Sequence, residues 1–179
     1  MIGVFPTAST AQILGNNECF EPFTSNIYVR RVLSGEFVTV NRYLVKALEE
    51  RDMWNEQMRD LIIASDGSVQ NIEGFPEDLK PIFKTVWEMK MRSLVDLAAD
   101  RAIFIDQSQS LNLWMQDPTH KKLSSMHFYG WKKGLKTGIY YLRTRPSVEA
   151  VKTTIDVETR EKAKKGVSCD DEVCVACSA

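Results

Sequence analysis

The sequence predicts a mixed α/β chain, rich in helix, that ends in a disordered tail. Three observations carry this expectation. Apolar residues recur at three- and four-residue spacing through the middle of the chain, the period of a helix with one buried face. Two short runs read as strands: Leu111–Met115, ended by Pro118, and Ile139–Thr144, which is aromatic and β-branched. Beyond Ser147 there is no Phe, Trp or Tyr, and charged and hydroxyl residues dominate. The 179 residues are 44% hydrophobic, enough for a buried core, so disorder of the whole chain is excluded.

In chain order, residues 1–23 read as a short apolar strand ended by Pro6, a segment of small hydroxyl residues, and the turn-rich stretch GNNECFEPF. Ile27, Arg30, Arg31 and Leu33 are spaced as one short helix closed near Gly35. Asn41 is placed to cap the next helix, and Leu44, Val45, Leu48, Trp54, Met58, Leu61 and Ile62 continue the helical period over two helices. Asp66-Gly67 is a turn signal. Pro76 to Ala98 reads as a further helix, with Leu79, Phe83, Val86, Trp87, Met91, Leu94 and Val95 on its core face. A strand at Leu111–Met115 stops before Pro118; a helix over 123–136 ends at Gly138; a last strand over 139–144 stops at Pro146.

Charge and punctuation exclude several functions. Lys+Arg 23 against Asp+Glu 24 leaves a net charge of -1, with no basic field for nucleic acid. No apolar run approaches the roughly 20 residues of a membrane helix. The opening MIGVFPTAST lacks the basic and apolar regions of a secretory signal, so a cytoplasmic location is expected.

Four features bear on chemistry. Thr7, Ala8, Ser9 and Thr10 follow Pro6 with three hydroxyls in four residues, and residues 1–29 contain no Lys or Arg. A helix starting near Ser9 would offer N–H groups and its dipole to an anion. The same pattern also serves as an ordinary helix cap, the commoner use. Tyr140 and Tyr141 are either two aromatics of a buried strand or two phenols that pass a radical. Neighbours on a regular strand point to opposite faces, so their stacking requires a local departure from strand geometry. Three of the four cysteines, Cys169, Cys174 and Cys177, fall in the last eleven residues. Cys174-x-x-Cys177 fits a dithiol that exchanges with another; part of an iron–sulfur run or a thiolate zinc site are the alternatives. A metal site needs packing that a tail without aromatics offers little of, and the like charge of Asp170, Asp171 and Glu172 would make the thiols better targets for an exchanging partner, so exchange is favoured over metal. His120 and His127, seven residues apart without a carboxylate cluster, make neither a metal nor a triad signature and read as surface or hydrogen-bonded core residues.

Taken together, PTASTAQILGNNECFEPFTSNIYVRRVLSGEF, DRAIFIDQSQSLN, SSMHFYGWKKGLKTGIYYLRTRP and the terminal C-x-x-C resemble the class I ribonucleoside-diphosphate reductase large subunit, in order from Val4 to Pro146 plus the tail cysteines. The resemblance implies the C-terminal part of a ten-stranded α/β barrel over 1–146 and a flexible tail over 147–179. It implies reduction of ribonucleoside diphosphates by radical chemistry. Thr7, Ala8, Ser9 and Thr10 then bind the substrate diphosphate, Tyr140 and Tyr141 are the stacked radical relay, and Cys174 and Cys177 are the tail dithiol. The implied partners are a radical-generating small subunit, thioredoxin or glutaredoxin, and the rest of the large subunit, with no membrane and no nucleic acid. No cofactor belongs to this chain: the radical comes from the metal-containing small subunit, and ATP or dNTP effectors bind elsewhere. The family's thiyl-cysteine motif and its effector domain do not occur in these residues, so the chain alone is expected to be inactive; the alternative is a non-catalytic module that binds the small subunit or a thioredoxin. Cys19 is expected to be a small buried thiol rather than the thiyl cysteine.

Overall fold

The computed structural model of the chain describes residues 2–145 except 5, 6 and 18. They gather in two compact units, one of residues 23–85 and one of residues 2–22 with 86–145. None of their helices is long and apolar enough to cross a membrane.

The unit of residues 23–85 opens with an antiparallel hairpin, β1 (Ile27–Val32) and β2 (Gly35–Val40), where helical spacing predicts a helix. Two causes override the spacing. The β-branched runs Ile-Tyr-Val and Val-Thr-Val favour extended backbone, and Gly35, at φ 141°, supplies a turn conformation that other residues adopt poorly. Only the hairpin's base is packed: Ile27 is buried and Val40 half-buried, while Val29, Phe37 and Val38 are exposed. Both faces are therefore wet over most of its length, and the alternation that marks a strand is missing from the sequence.

Helices α2 (Arg42–Glu49) and α3 (Glu56–Ala64) follow the expected periods. Each starts at an asparagine whose side chain accepts a backbone N–H, Asn41 from Tyr43 and Asn55 from Met58. Leu44 and Leu48 are fully buried on the inner face of α2, and Met58 and Ile62 on that of α3. They meet Val69, Ile72, Phe75, Leu79 and Phe83 in one apolar core. Asp66 and Gly67 form the expected turn, both at positive φ (56° and 78°). A side chain at Gly67 would place its Cβ 1.8 Å from Ser25 Oγ, so the site also excludes bulk.

The helix expected from Pro76 to Ala98 is not continuous. Residues 77–83 form turns, a 3₁₀ turn spans Val86–Glu88, and only Met91–Ala102 (α4) is α-helical. Pro81 is the cause: it lacks the N–H for the helical bond, and its ring meets the preceding turn. The apolar residues on either side of the break serve different cores, Leu79 and Phe83 the one above, Val86, Leu94, Val95 and Ala98 the other.

In the second unit no strand forms among residues 2–4, and a short helix, α1 (Ala8–Ile13), follows. After α4 come β3 (Asn112–Trp114), α5 (His120–Lys132) and β4 (Tyr141–Arg143). Helix α5 starts before the predicted boundary because Thr119 caps it, accepting the Lys122 N–H at 3.2 Å. Strands β3 and β4 are parallel, in the register Asn112↔Tyr141, Leu113↔Leu142 and Trp114↔Arg143. Parallel neighbours need a crossover, and α5 supplies it. The core beneath this βαβ unit is Val86, Leu94, Val95, Ala98, Leu111, Leu113, Trp114 and Met126. The described residues are thus α/β with one parallel pair of strands, and they do not close a barrel.

Candidate functional site

The tyrosine pair stands at the end of the βαβ unit. The chain bends at Tyr140, whose N–H donates to the Leu111 carbonyl at 2.7 Å, and Tyr141 begins β4. Because Tyr140 precedes the strand, the alternation of strand neighbours does not apply, and the two rings lie on the same side. Their centroids are 4.3 Å apart with planes inclined by 61°, edge to face rather than stacked in parallel. Both rings are about half exposed, at 58% and 47%, which sets aside the reading of a fully buried strand pair. A side-chain hydrogen bond with Tyr141, then its charge, pushes the Tyr140 phenol above its ordinary value of 10.0. Tyr140 therefore keeps its O–H throughout the neutral range. The Arg143 guanidinium sits 4.6 Å from the Tyr141 ring centroid.

Thr7 lies immediately before α1 and accepts the Ala11 N–H at 2.7 Å through its carbonyl; Thr10 accepts that of Leu14 at 3.1 Å. Both threonines are exposed, and the first turn carries no acidic side chain that would repel an anion. The side chains of Ala8 and Ser9, Cys174 and Cys177, and Cys169 with its acidic neighbours all fall outside the described residues. Cys19 is exposed, not buried as expected. The loop after α1 turns Glu21 inward instead, and that carboxylate is only 4% exposed. His120 and His127 are both exposed, and no group of His, Cys, Asp and Glu suited to a metal occurs among the described residues.

Sequence reasoning missed a polar seam between α4 and α5. The Tyr129 hydroxyl donates to Asp96 Oδ1 at 2.6 Å, Arg92 Nε donates to the Tyr129 oxygen at 3.0 Å, and Lys133 Nζ lies 2.8 Å from Asp96. Beside it a cleft of about 580 Å³ is lined by Trp87, Met91, Trp114, Met126, Phe128 and Tyr129, with lysines and Arg92 among its walls. Hydrogen bonds from Lys133 and then Tyr129 hold the Asp96 carboxyl below its ordinary 3.8. A carboxylate depressed in the folded state adds stability above its unfolded pKa and loses it as pH falls through the lower folded value. The stability difference between the wild-type chain and Asp96→Asn is therefore expected to be constant from neutral pH down to about 5 and to shrink as pH falls through 3.8 and below. Urea unfolding at stepped pH measures this, and a difference that does not shrink in acid removes the linkage.

With the βαβ unit and its tyrosine pair in place, residues 1–141 match the family described as the ribonucleotide reductase barrel domain. The chain belongs to that family. Among curated relatives, the ribonucleoside-diphosphate reductase large subunit of Plasmodium falciparum (isolate Dd2) is 58% identical over 170 residues, covering 95% of this chain and 21% of its own length. That of Dictyostelium discoideum is 60% identical over 156 residues, 87% of this chain and 18% of its own length. That of Vaccinia virus (strain Copenhagen) is 53% identical over 178 residues, 99% of this chain and 23% of its own. The class Id ribonucleotide reductase alpha subunit of Actinobacillus ureae shares the fold with a TM-score of 0.68 at 33% identity, over 78% of this chain and 25% of that one. The reductase family membership covers nearly the whole chain, while the chain spans about a fifth of the curated relatives' length.

Proposed function

We propose that this chain is the C-terminal segment of a ribonucleoside-diphosphate reductase large subunit, with residues 1–146 in the barrel and 147–179 as a redox tail. The observation that carries the reading is the Tyr140–Tyr141 ring contact, at 4.3 Å and half exposed, in a chain 53–60% identical to such subunits. Two oxidisable phenols in contact, each reachable from outside, suit hand-over of a radical from a small subunit that generates it. In each hop one phenol gives up its proton and one electron and its neighbour regains both, so no charge accumulates. Thr7, Ala8, Ser9 and Thr10 hold the substrate diphosphate through hydroxyl and N–H donors at the start of α1.

The overall change consumes two thiols: the substrate loses its 2′-hydroxyl as water, and a dithiol becomes a disulfide. Cys174 and Cys177 then reduce that disulfide by thiol–disulfide exchange, becoming a disulfide themselves, and a thioredoxin-like dithiol restores them. The chain brings no cofactor of its own to these steps. The test is reconstitution: this chain, a complementary large-subunit segment and a radical-bearing small subunit are mixed and assayed for diphosphate reduction. Activity that depends on this chain supports the reading. Binding of the small subunit or of thioredoxin without any reduction points to the non-catalytic module. In a complete reductase, Cys174→Ser or Cys177→Ser is expected to permit a single turnover and to block repeated turnover with thioredoxin; sustained turnover removes the dithiol assignment.

A further inference from the structure

We infer that Glu21 is a positioning residue that fastens the segment carrying Thr7–Thr10 to the strand beneath the tyrosine pair, an assignment that rests on the function proposed above. The carboxylate is 4% exposed, and its Oε1 accepts the Asn112 N–H at 2.6 Å, across 91 positions of sequence. Asn112 is the β3 residue in register with Tyr141, and its neighbour Leu111 accepts the Tyr140 N–H. One carboxylate therefore holds the strand residue in register with Tyr141, next in the chain to the one that binds Tyr140. Beside it the Phe20 ring lies 4.6 Å under the Arg101 guanidinium of α4, and the Asn17 amide donates to the Glu21 carbonyl at 2.5 Å. The other end of the segment is also tied: Ile2 N donates to Asp106 Oδ2 at 2.6 Å, and Asp106 N donates to the Ile2 carbonyl at 2.9 Å. The described residues of this segment are thus pinned at both ends, with Thr7 and Thr10 between the pins.

The buried end has one unusual feature. Glu21 Oε2 and Asn112 Oδ1 are both buried acceptors without a donor among the described residues. A glutamine at 21 keeps the Oε1 acceptor and brings an N–H to the same pair of residues.

The test has two arms. In the 179-residue chain, hydrogen exchange at the Asn112 and Tyr140 amides is expected to speed up about tenfold or more in Glu21→Ala, with Ala98 in α4 unchanged, and to stay within about threefold of wild type in Glu21→Gln. In a complete reductase, Glu21→Ala is expected to lower kcat about tenfold and to raise KM, and Glu21→Gln to restore both. Continued protection of Asn112 in Glu21→Ala, or loss of protection or kcat in Glu21→Gln equal to that in Glu21→Ala, overturns the assignment. Where Glu21→Ala fails to fold, Glu21→Asp, which withdraws the acceptor by one carbon, takes its place in both readouts. The arms separate this inference from the function it rests on. Normal kcat in Glu21→Ala, beside dead Tyr140→Phe and Tyr141→Phe variants, sinks the positioning role alone. Turnover unaffected by those tyrosine variants sinks the relay and leaves the exchange result to stand for the pinned segment.

Discussion

Tyr140→Phe or Tyr141→Phe in a complete reductase is expected to abolish turnover while leaving the fold and substrate binding intact. Phenylalanine keeps the ring, so the edge-to-face contact survives. Both positions are about half exposed, so the stability change is expected within about 0.5 kcal/mol. What is lost is the O–H, and with it the proton that lets the electron move without building charge. A fall of about a thousandfold or more, equal to roughly 4 kcal/mol of added barrier, is expected. Steady-state diphosphate reduction, paired with equilibrium binding of the substrate, measures it. Wild-type turnover in either variant would sink the relay.

The largest expected stability effect belongs to Asn26, which no pattern in the sequence marks. It is 3% exposed, and its amide donates to the carbonyls of Gly67 at 2.9 Å and Phe83 at 2.8 Å. Its Oδ1 accepts from Asn41 Nδ2 at 2.9 Å, and its carbonyl accepts the Asn41 N–H at 2.8 Å. One side chain thus joins the hairpin, the α2 cap, the Asp66-Gly67 turn and the segment before the 3₁₀ turn. Asn26→Leu fills the same space but strands buried polar groups, and a loss of about 2–4 kcal/mol is expected. Asn26→Asp is expected to be no better, because a second carboxylate oxygen would face two carbonyls. Urea unfolding of the chain measures both, as a lower midpoint at unchanged slope. A shift under about 0.5 kcal/mol for Asn26→Leu would show that the network is not holding this unit together.

Local signals were legible where one side chain governs one turn of backbone. Asn41 caps α2, Asp66-Gly67 turns, and Leu44, Leu48, Met58 and Ile62 face the core, all as spacing and cap chemistry predict. The hairpin and the Pro76–Ala98 segment depart from the sequence pattern for opposite reasons. In the hairpin a chance helical spacing of Ile27, Arg30, Arg31 and Leu33 outweighed weak β-branched signals on a surface without a buried face. In the second, an unbroken apolar period concealed Pro81 and a change of core on either side of it.

By itself the sequence determined the family, through several motifs in one chain that is 53–60% identical to reductase large subunits, and it determined the caps, the turn and most helical core positions. Those properties depend on residues near one another in the chain, or on identity at each position. Only the tertiary structure decided that Tyr140 and Tyr141 share a side, that Cys19 is exposed while Glu21 is buried, and that Asn26 and Asp96 are polar hubs. Each of these is set by groups brought together across the chain: Leu111 behind Tyr140, Asn112 above Glu21, Phe83 against Asn26 and Tyr129 on Asp96. A buried polar atom takes whichever partner the fold delivers. Such partners, 29 to 91 positions away, leave no period in the sequence.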